Sequence, residues 1–373
     1  MAPAKIIALH LPQFHPIPEN DLWWGKGFTE WTNVTKAKPL YEGHYQPHLP
    51  TDLGFYDLRL PEARAAQAEL ASEYGIHGFC YYHYWFHGKQ LLERPVTDIL
   101  KSGEPDFPFC LCWANENWSR RWDGRDKEIL IEQRYSAQDD VDHIRFLVSA
   151  FEDPRYITVN GLPLFLVYRS AQLPDSKATT DRWRREVERA GLPGIYLVRV
   201  ESHGERMDPA ETGFDAALEF QPFGESLSAA TLFRLKWWQR RRLGTMPTLF
   251  EKHEIYAYSE MVKAAMGVPR PSYPWIRCAC PSWDNTARKN EGGMILHDST
   301  PEMFESWVRG LLDQGEEMHP SNPAEKIVFI NAWNEWAEGN HLEPCRRWGR
   351  QYLEALARAV KVSTSTGAQL AGR

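Results

Sequence analysis

The chain contains no run of roughly 20 apolar residues, the length a membrane-spanning helix needs, so no such helix is expected. Positive charge is not in excess: 43 Lys and Arg stand against 50 Asp and Glu, a net charge of −7. The electrostatic footprint of a phosphate backbone is therefore missing, and nucleic acid is not an expected partner. Cysteine is sparse, six in 373 residues, and no two are spaced C-x-x-C. Four form the C-x-C pairs Cys110/Cys112 and Cys278/Cys280, which a strand places on one face, a spacing suited to buried thiols rather than to zinc or redox chemistry. The first apolar run, KIIALHLP (5–12), leads into QFHP without G-x-G-x-x-G, so no dinucleotide turn is predicted there. The N-terminal stretch MAPAKIIALHLPQFHP is too short in its apolar part for a secretory leader, and the expected location is cytoplasmic.

Aromatic residues are what the chain has in quantity: 16 Trp, 15 Tyr and 17 Phe. Flat faces with polar tips serve large cores and sugar clefts alike, so their number alone does not choose. Their placement is more informative. Eight short apolar runs recur, at 5–12, 75–85, 107–117, 162–169, 194–201, 214–222, 275–285 and 326–336. Continuous apolar runs indicate strands covered on both faces, as in a parallel sheet. Helical patterns lie between them at 61–75, 136–153, 178–191, 300–315 and 350–362. Eight strands with helical crossovers predict an α/β fold, a (β/α)8 TIM barrel with long loops at the C-terminal face. The expected organisation is one catalytic domain over 1–362, with loop insertions at 13–60 and 223–274. The polar tail STSTGAQLAGR (363–373) is expected to be flexible. Within the second insertion, LFRLKWWQRRR (232–242) reads best as a solvated helix face over a tryptophan contact; contact with a membrane surface, an acidic glycan or a partner is the less favoured reading.

In such a barrel the reactive groups stand just past the strand ends. In chain order those ends supply His10 and Gln13; Tyr82, His83 and Trp85; Trp113, Asn115, Glu116 and Trp118; Glu201; Glu219 and Gln221; Trp283 and Asp284; and Trp333, Asn334, Glu335, Trp336 and Glu338. Glu30 and Trp31 belong to the long first loop, which either closes over a substrate or plugs the barrel mouth. Indoles stack on the apolar face of a pyranose, while amides and carboxylates bond its hydroxyls, so the pattern is that of a carbohydrate site. Asp284 suits a hydroxyl anchor or a turn cap about equally. His83 and His87 resemble a metal pair but lack a supporting helix and a third ligand; neither metal nor cofactor is expected. Glu335 and Glu338 fall on one side of a tight turn. Glycoside cleavage commonly uses two carboxyl groups, one protonated and one ionised, and close placement helps to separate their proton affinities.

The stretch NAWNEWAEG (331–339), followed by HLEP, is similar to the signature that ends the barrel in glycoside hydrolase family 99, the endo-α-mannosidase family. HLPQFHP (10–16), WWGKGFTEWTNV (23–34), QPHLPTDLGFYDLR (46–59), GIHGFCYYHYWF (75–86) and WANENWSRRWDG (113–124) extend the likeness from residue 5 to about 360. Over that length the chain more closely resembles the WbsX-type proteins, a bacterial family 99-like group associated with O-antigen and other surface polysaccharides. The resemblance implies a retaining enzyme that needs no metal. Glu335 would assist the substrate's own 2-hydroxyl to attack the anomeric carbon, and Glu338 would be the acid/base. The family pattern usually has histidine where this chain has Ala337. Three functions fit: a retaining, endo-acting glycoside hydrolase on a polysaccharide; a glycosyltransferase or transglycosylase of surface-polysaccharide assembly; or a non-catalytic glycan-binding module. The only D-x-D, Asp140 to Asp142, lies at a helix start, which disfavours a nucleotide-sugar site.

Overall fold

Each apolar run holds one strand that is buried along its length, because neighbours cover it on both faces. The computed structural model describes residues 4–120, 125–202, 206–222, 252–314 and 327–370. The strands are β1 (Lys5–His10), β2 (Gly78–Phe86), β3 (Phe109–Trp113), β4 (Leu162–Val167), β5 (Tyr196–Glu201), β6 (Ala216–Glu219), β7 (Trp275–Ala279) and β8 (Ile327–Ile330). All pair in parallel with the next in sequence, and β8 returns to β1 with Lys5 opposite Ile327 and Ala8 opposite Ile330. The sheet is therefore closed, the TIM barrel expected.

Register fixes which side chains face inward. Leu9 lies beside Cys80, Cys80 beside Cys110, Tyr82 beside Cys112 and Cys112 beside Leu166. On the opposite side Ile7 and Cys278 flank Phe329. These rows fill the barrel. The alternate rows carry Phe79, Tyr81, His83 and Trp113 outward beneath the helices, as the two-residue period of a strand requires. All six cysteines are buried and free.

The outer layer includes helices at Pro61–Glu73, Arg94–Ser102, Ala137–Phe151, Ser176–Arg189, Tyr258–Met266, Pro301–Gln314 and Gln351–Leu370. Pro61 starts the first, where its missing N–H costs nothing. The Ser136 hydroxyl caps the third by accepting from the Asp139 N–H at 3.1 Å. Among the described residues, the crossover after β5 holds a 3-10 turn, Pro209–Thr212, and no longer helix. The last helix runs on to Leu370, past the 362 boundary read from sequence, since nothing in STSTGAQL forbids a helix as proline would. The basic stretch 232–242 lies outside the described residues. Among the described residues no helix is long and apolar enough to cross a membrane.

Candidate active site

The strand ends open into a cavity of about 470 Å³. From β2 come Tyr82 and Tyr84, one strand period apart, and from the loops after β3 and β4 come Glu116, Asn117, Trp118 and Tyr168. The segment after β7 gives Trp283, Asn285 and Arg288, while β8 and its loop give Asn331, Glu335 and Glu338. Gln13 and Trp24 reach in from the first loop. Aromatic walls with a polar floor are thus assembled from most of the way around the barrel.

The floor is organised by Arg288, which sequence reasoning missed. Its Nη1 lies 2.6 Å from Glu338 Oε1, and its Nη2 lies 2.6 Å from Glu30 Oε1 and 3.1 Å from Glu335 Oε2. Its Nε donates to Glu30 Oε1 at 2.9 Å. One guanidinium therefore holds three carboxylates, the two expected to react and the first-loop glutamate that the sequence left undecided. Burial works against the charge of Arg288, but Glu30, Glu338 and Glu335 outweigh it and hold its pKa well above the usual value. Burial pushes the Glu335 carboxyl up to about 8; Arg288 pulls it back, and Glu338 and Glu30 add to the rise. Glu30, fully buried, is raised by the same burial against the pull of Arg288. A signal for Arg288 was present: DNTARKN (284–290) lies in the loop past the seventh strand, and an arginine one turn beyond Asp284 is long enough to reach toward the barrel axis.

The rise at Glu335 has a measurable consequence. The folded chain keeps this proton to about pH 8, whereas an unfolded glutamate releases it near ~4.3. Between those values the folded state binds more protons, so this group's contribution to stability falls as pH rises through the window. Glu335→Gln, neutral throughout, should melt close to wild type near about pH 4 and above it near about pH 9. Scanning calorimetry at the two pH values checks this; equal differences at both would show that Glu335 ionises freely in the fold.

Of the residues predicted for the site, Gln13, Tyr82, Glu116, Trp118, Trp283, Glu335 and Glu338 line the cavity. The others are near it but turned away. His10 faces outward, its Nε2 3.2 Å from Gln67 Oε1 on the first outer helix. His83 and Trp85 also face outward: His83 Nε2 meets His143 Nε2 at 3.0 Å, and Trp85 donates to Asp139 Oδ1 at 2.9 Å. Trp113 donates to the Trp85 carbonyl at 3.1 Å. All four were misassigned because a strand's phase, unreadable without its partners, decides which face enters the barrel. Asn115 pins the loop after β4, accepting from the Arg169 N–H at 2.7 Å and donating to its carbonyl at 2.9 Å. Asp284 is the cap: its Oδ1 accepts from the Thr286 N–H at 3.0 Å, and its Oδ2 lies 2.6 Å from His44 Nε2. His44 holds that carboxyl below its ordinary value despite burial.

The eighth-strand loop is anchored from beneath. Asn334 accepts from the Leu11 N–H at 2.7 Å and donates to the Leu11 carbonyl at 3.0 Å. Trp336 stacks on His341 at 3.8 Å and donates to Glu343 Oε2 at 2.5 Å. Glu343, pushed up to about 7 by burial, also accepts from Tyr56 and Gln67. Trp31 packs on Trp336, ring centres 5.6 Å apart, so that part of the first loop plugs the barrel mouth rather than meeting a substrate. Trp333 is fully buried. These indoles and amides hold Glu335 and Glu338 in place rather than touching what binds. Within the cavity, Gln13 and Asn331 are buried side chains, yet Gln13 Nε2 and Asn331 Oδ1 have no hydrogen-bond partner in the protein. A buried donor and a buried acceptor left unpaired beside a cavity are groups that water or the hydroxyls of a bound molecule would satisfy. Among the described residues no group of three or more His, Cys, Asp and Glu is placed to hold a metal ion.

The chain is similar to known proteins at two levels, fold and sequence. The family 99 endo-α-mannosidase of Bacteroides thetaiotaomicron superposes with a TM-score of 0.58 at 12% identity, covering 99% of this chain and 100% of that one. A glycoside hydrolase-like protein superposes with a TM-score of 0.60 at 14% identity, covering 96% and 94%. At these identities the likeness establishes the barrel. In sequence, the protein WxcX from two strains of Xanthomonas campestris pv. campestris is 44% identical over 366 residues, 97% of this chain. The chain spans about half the length of these relatives, 51%. The model of the family described as glycosyltransferase WbsX matches residues 6–356, nearly the whole barrel, and the chain belongs to that family.

Proposed function

We propose that the chain is a carbohydrate-active enzyme, a retaining glycoside hydrolase that cuts within a polysaccharide, with Glu335 and Glu338 as its reacting pair. The observation that carries this reading is the pair itself: both carboxylates sit on one guanidinium at the floor of a cavity walled by Trp118, Trp283, Tyr82, Tyr84 and Tyr168. No separate nucleophile is needed if the sugar's 2-hydroxyl attacks the anomeric carbon. Glu335 takes that hydroxyl's proton as the C1–O bond breaks, and Glu338 gives its proton to the leaving oxygen. Water then opens the strained intermediate with both proton transfers reversed. Gln13 and Asn331, which line the cavity, would help to hold the same sugar in register for the attack.

A second reading is transfer rather than hydrolysis, in O-antigen or other surface-polysaccharide assembly, and the description of the matching family favours it. The chemistry is shared up to its last step, where an acceptor hydroxyl replaces water if water is excluded. Incubation with bacterial surface oligosaccharides in ¹⁸O-water, with and without acceptors and nucleotide sugars, separates the two. The expected result is one ¹⁸O at each new reducing end. Extension of an acceptor without label would make the protein a transferase, and no change in any glycan would leave only binding.

A further inference from the structure

We propose that Arg288 is a positioning residue that decides where the site keeps its proton: it holds Glu338 and Glu30 as carboxylates and leaves the resting proton on Glu335. The inference rests on the reading of Glu335 and Glu338 as the reacting pair, and it concerns the order in which that pair is charged.

The argument begins with charge. Three carboxylates face one guanidinium, so full ionisation would leave two uncompensated negative charges in a region where Glu30 is fully buried and Glu335 nearly so. Uncompensated charge away from water is costly, and one bound proton halves the excess. The contacts select its seat. Glu338 has Nη1 to itself at 2.6 Å, and its side chain is the most exposed of the three at 20%. Glu30 receives two contacts, from Nε at 2.9 Å and Nη2 at 2.6 Å. Glu335 has the longest contact, 3.1 Å, to a nitrogen it shares with Glu30. It loses least by carrying the proton. The other groups that face Glu335 do not offset its charge: Tyr82 and Tyr84 from β2 are buried phenols held neutral, and Lys36 acts on Glu30. Tyr168, also neutral, faces Glu338. The upward push on Glu335 from burial agrees with this order.

The resting order is the reverse of the one cleavage needs, since the acid must hold the proton and the base must not. Substrate entry therefore has to exchange them: the O–H bond on Glu335 breaks, one forms on Glu338, and the negative charge moves the other way, with no other reactant consumed. Protonation of Glu338 weakens its ion pair with Nη1, so the exchange is favoured when the guanidinium moves off that carboxylate. The guanidinium is the group the incoming sugar must shift, which ties proton delivery to occupancy and keeps the acid unarmed in an empty site.

The test needs no substrate. Protein labelled with ¹³C at the glutamate carboxyl carbons is titrated by NMR, with Glu335→Gln and Glu338→Gln identifying the two signals by their loss. The Glu335 signal should titrate near pH 8, and the proton of the resting site should be read on that signal rather than on that of Glu338. In Arg288→Gln, which removes the guanidinium that pulls the Glu335 carboxyl down, the Glu335 titration should move up by about one pH unit or more, equivalent to about 1.4 kcal/mol. Arg288→Lys keeps one charge without the fork and covers the case in which the glutamine variant does not fold; the Glu335 titration should then leave its wild-type position. A resting proton on Glu338, or titrations unmoved in a folded Arg288 variant, overturns the proposal. Turnover is not read here, so failure of the catalytic reading would leave these titrations unchanged, whereas a proton found on Glu338 defeats the proposal in an active enzyme too.

Discussion

Glu338→Gln should lower kcat/KM on the chain's glycan by about 10²–10⁴-fold, the range expected when a general acid is removed. Glycan affinity should change far less, by about threefold or under. The substitution keeps the side chain's shape and its place in the loop, where the Glu338 carbonyl accepts from the Asp284 N–H at 2.6 Å. It removes one of three carboxylates from Arg288, which remains paired with Glu30 and Glu335, so no buried cation is orphaned. The walls at Trp118, Trp283 and Tyr82 are untouched. Loss of rate with retained binding is therefore the signature of a proton-transfer role. Initial rates together with calorimetric titration of the same oligosaccharide measure both quantities. A rate within threefold of wild type would remove Glu338 from the chemistry, and a parallel loss of affinity would recast it as a binding group.

The sequence made the barrel legible because its signal is periodic and redundant: eight apolar runs at helical spacing admit few other closures. The floor of the cavity was partly legible, since Glu335 and Glu338 sit in a local motif whose residues stay together in any fold. What the sequence hid depends on partners remote in the chain. His10, His83, Trp85 and Trp113 differ from Tyr82 and Tyr84 by one step of strand phase, and only the neighbouring strand fixes that step. Arg288 and Glu30 are 258 residues apart, and nothing local to either announces the other. Trp336 and Asn334 look reactive because they flank the glutamates, whereas their bonds to Glu343 and Leu11 make them the mount on which the glutamates stand. The sequence placed its candidates at strand ends; which of them face the cavity required geometry.

The same distinction gives the second large effect, at a carboxylate that the strand-end rule also selects. Glu219 closes β6, yet it lies beside Glu201 in the outward row, away from the cavity. Its Oε2 accepts from Arg277 Nε at 2.7 Å, and its Oε1 accepts from Gln221 at 2.7 Å. Arg277 also donates to Gln314 Oε1 and to the Ala265 carbonyl, both at 2.9 Å, tying β7 to two outer helices. Both side chains of the ion pair are 8% exposed. Glu219→Ala leaves a buried guanidinium without its counter-charge, a loss of about 3–5 kcal/mol. For a domain of this size that is a fall in Tm of roughly 4–6 °C. Rates measured well below the lowered melt should stay within about threefold of wild type, because nothing on the cavity wall moves. The double variant Glu219→Leu with Arg277→Met removes both charges and should recover most of the loss, since an apolar pair of similar volume needs no counter-charge. Recovery in the double variant would show that the single variant suffers from the orphaned arginine. Activity lost at an unchanged Tm would instead return Glu219 to the reaction and require the outward row to open onto the site.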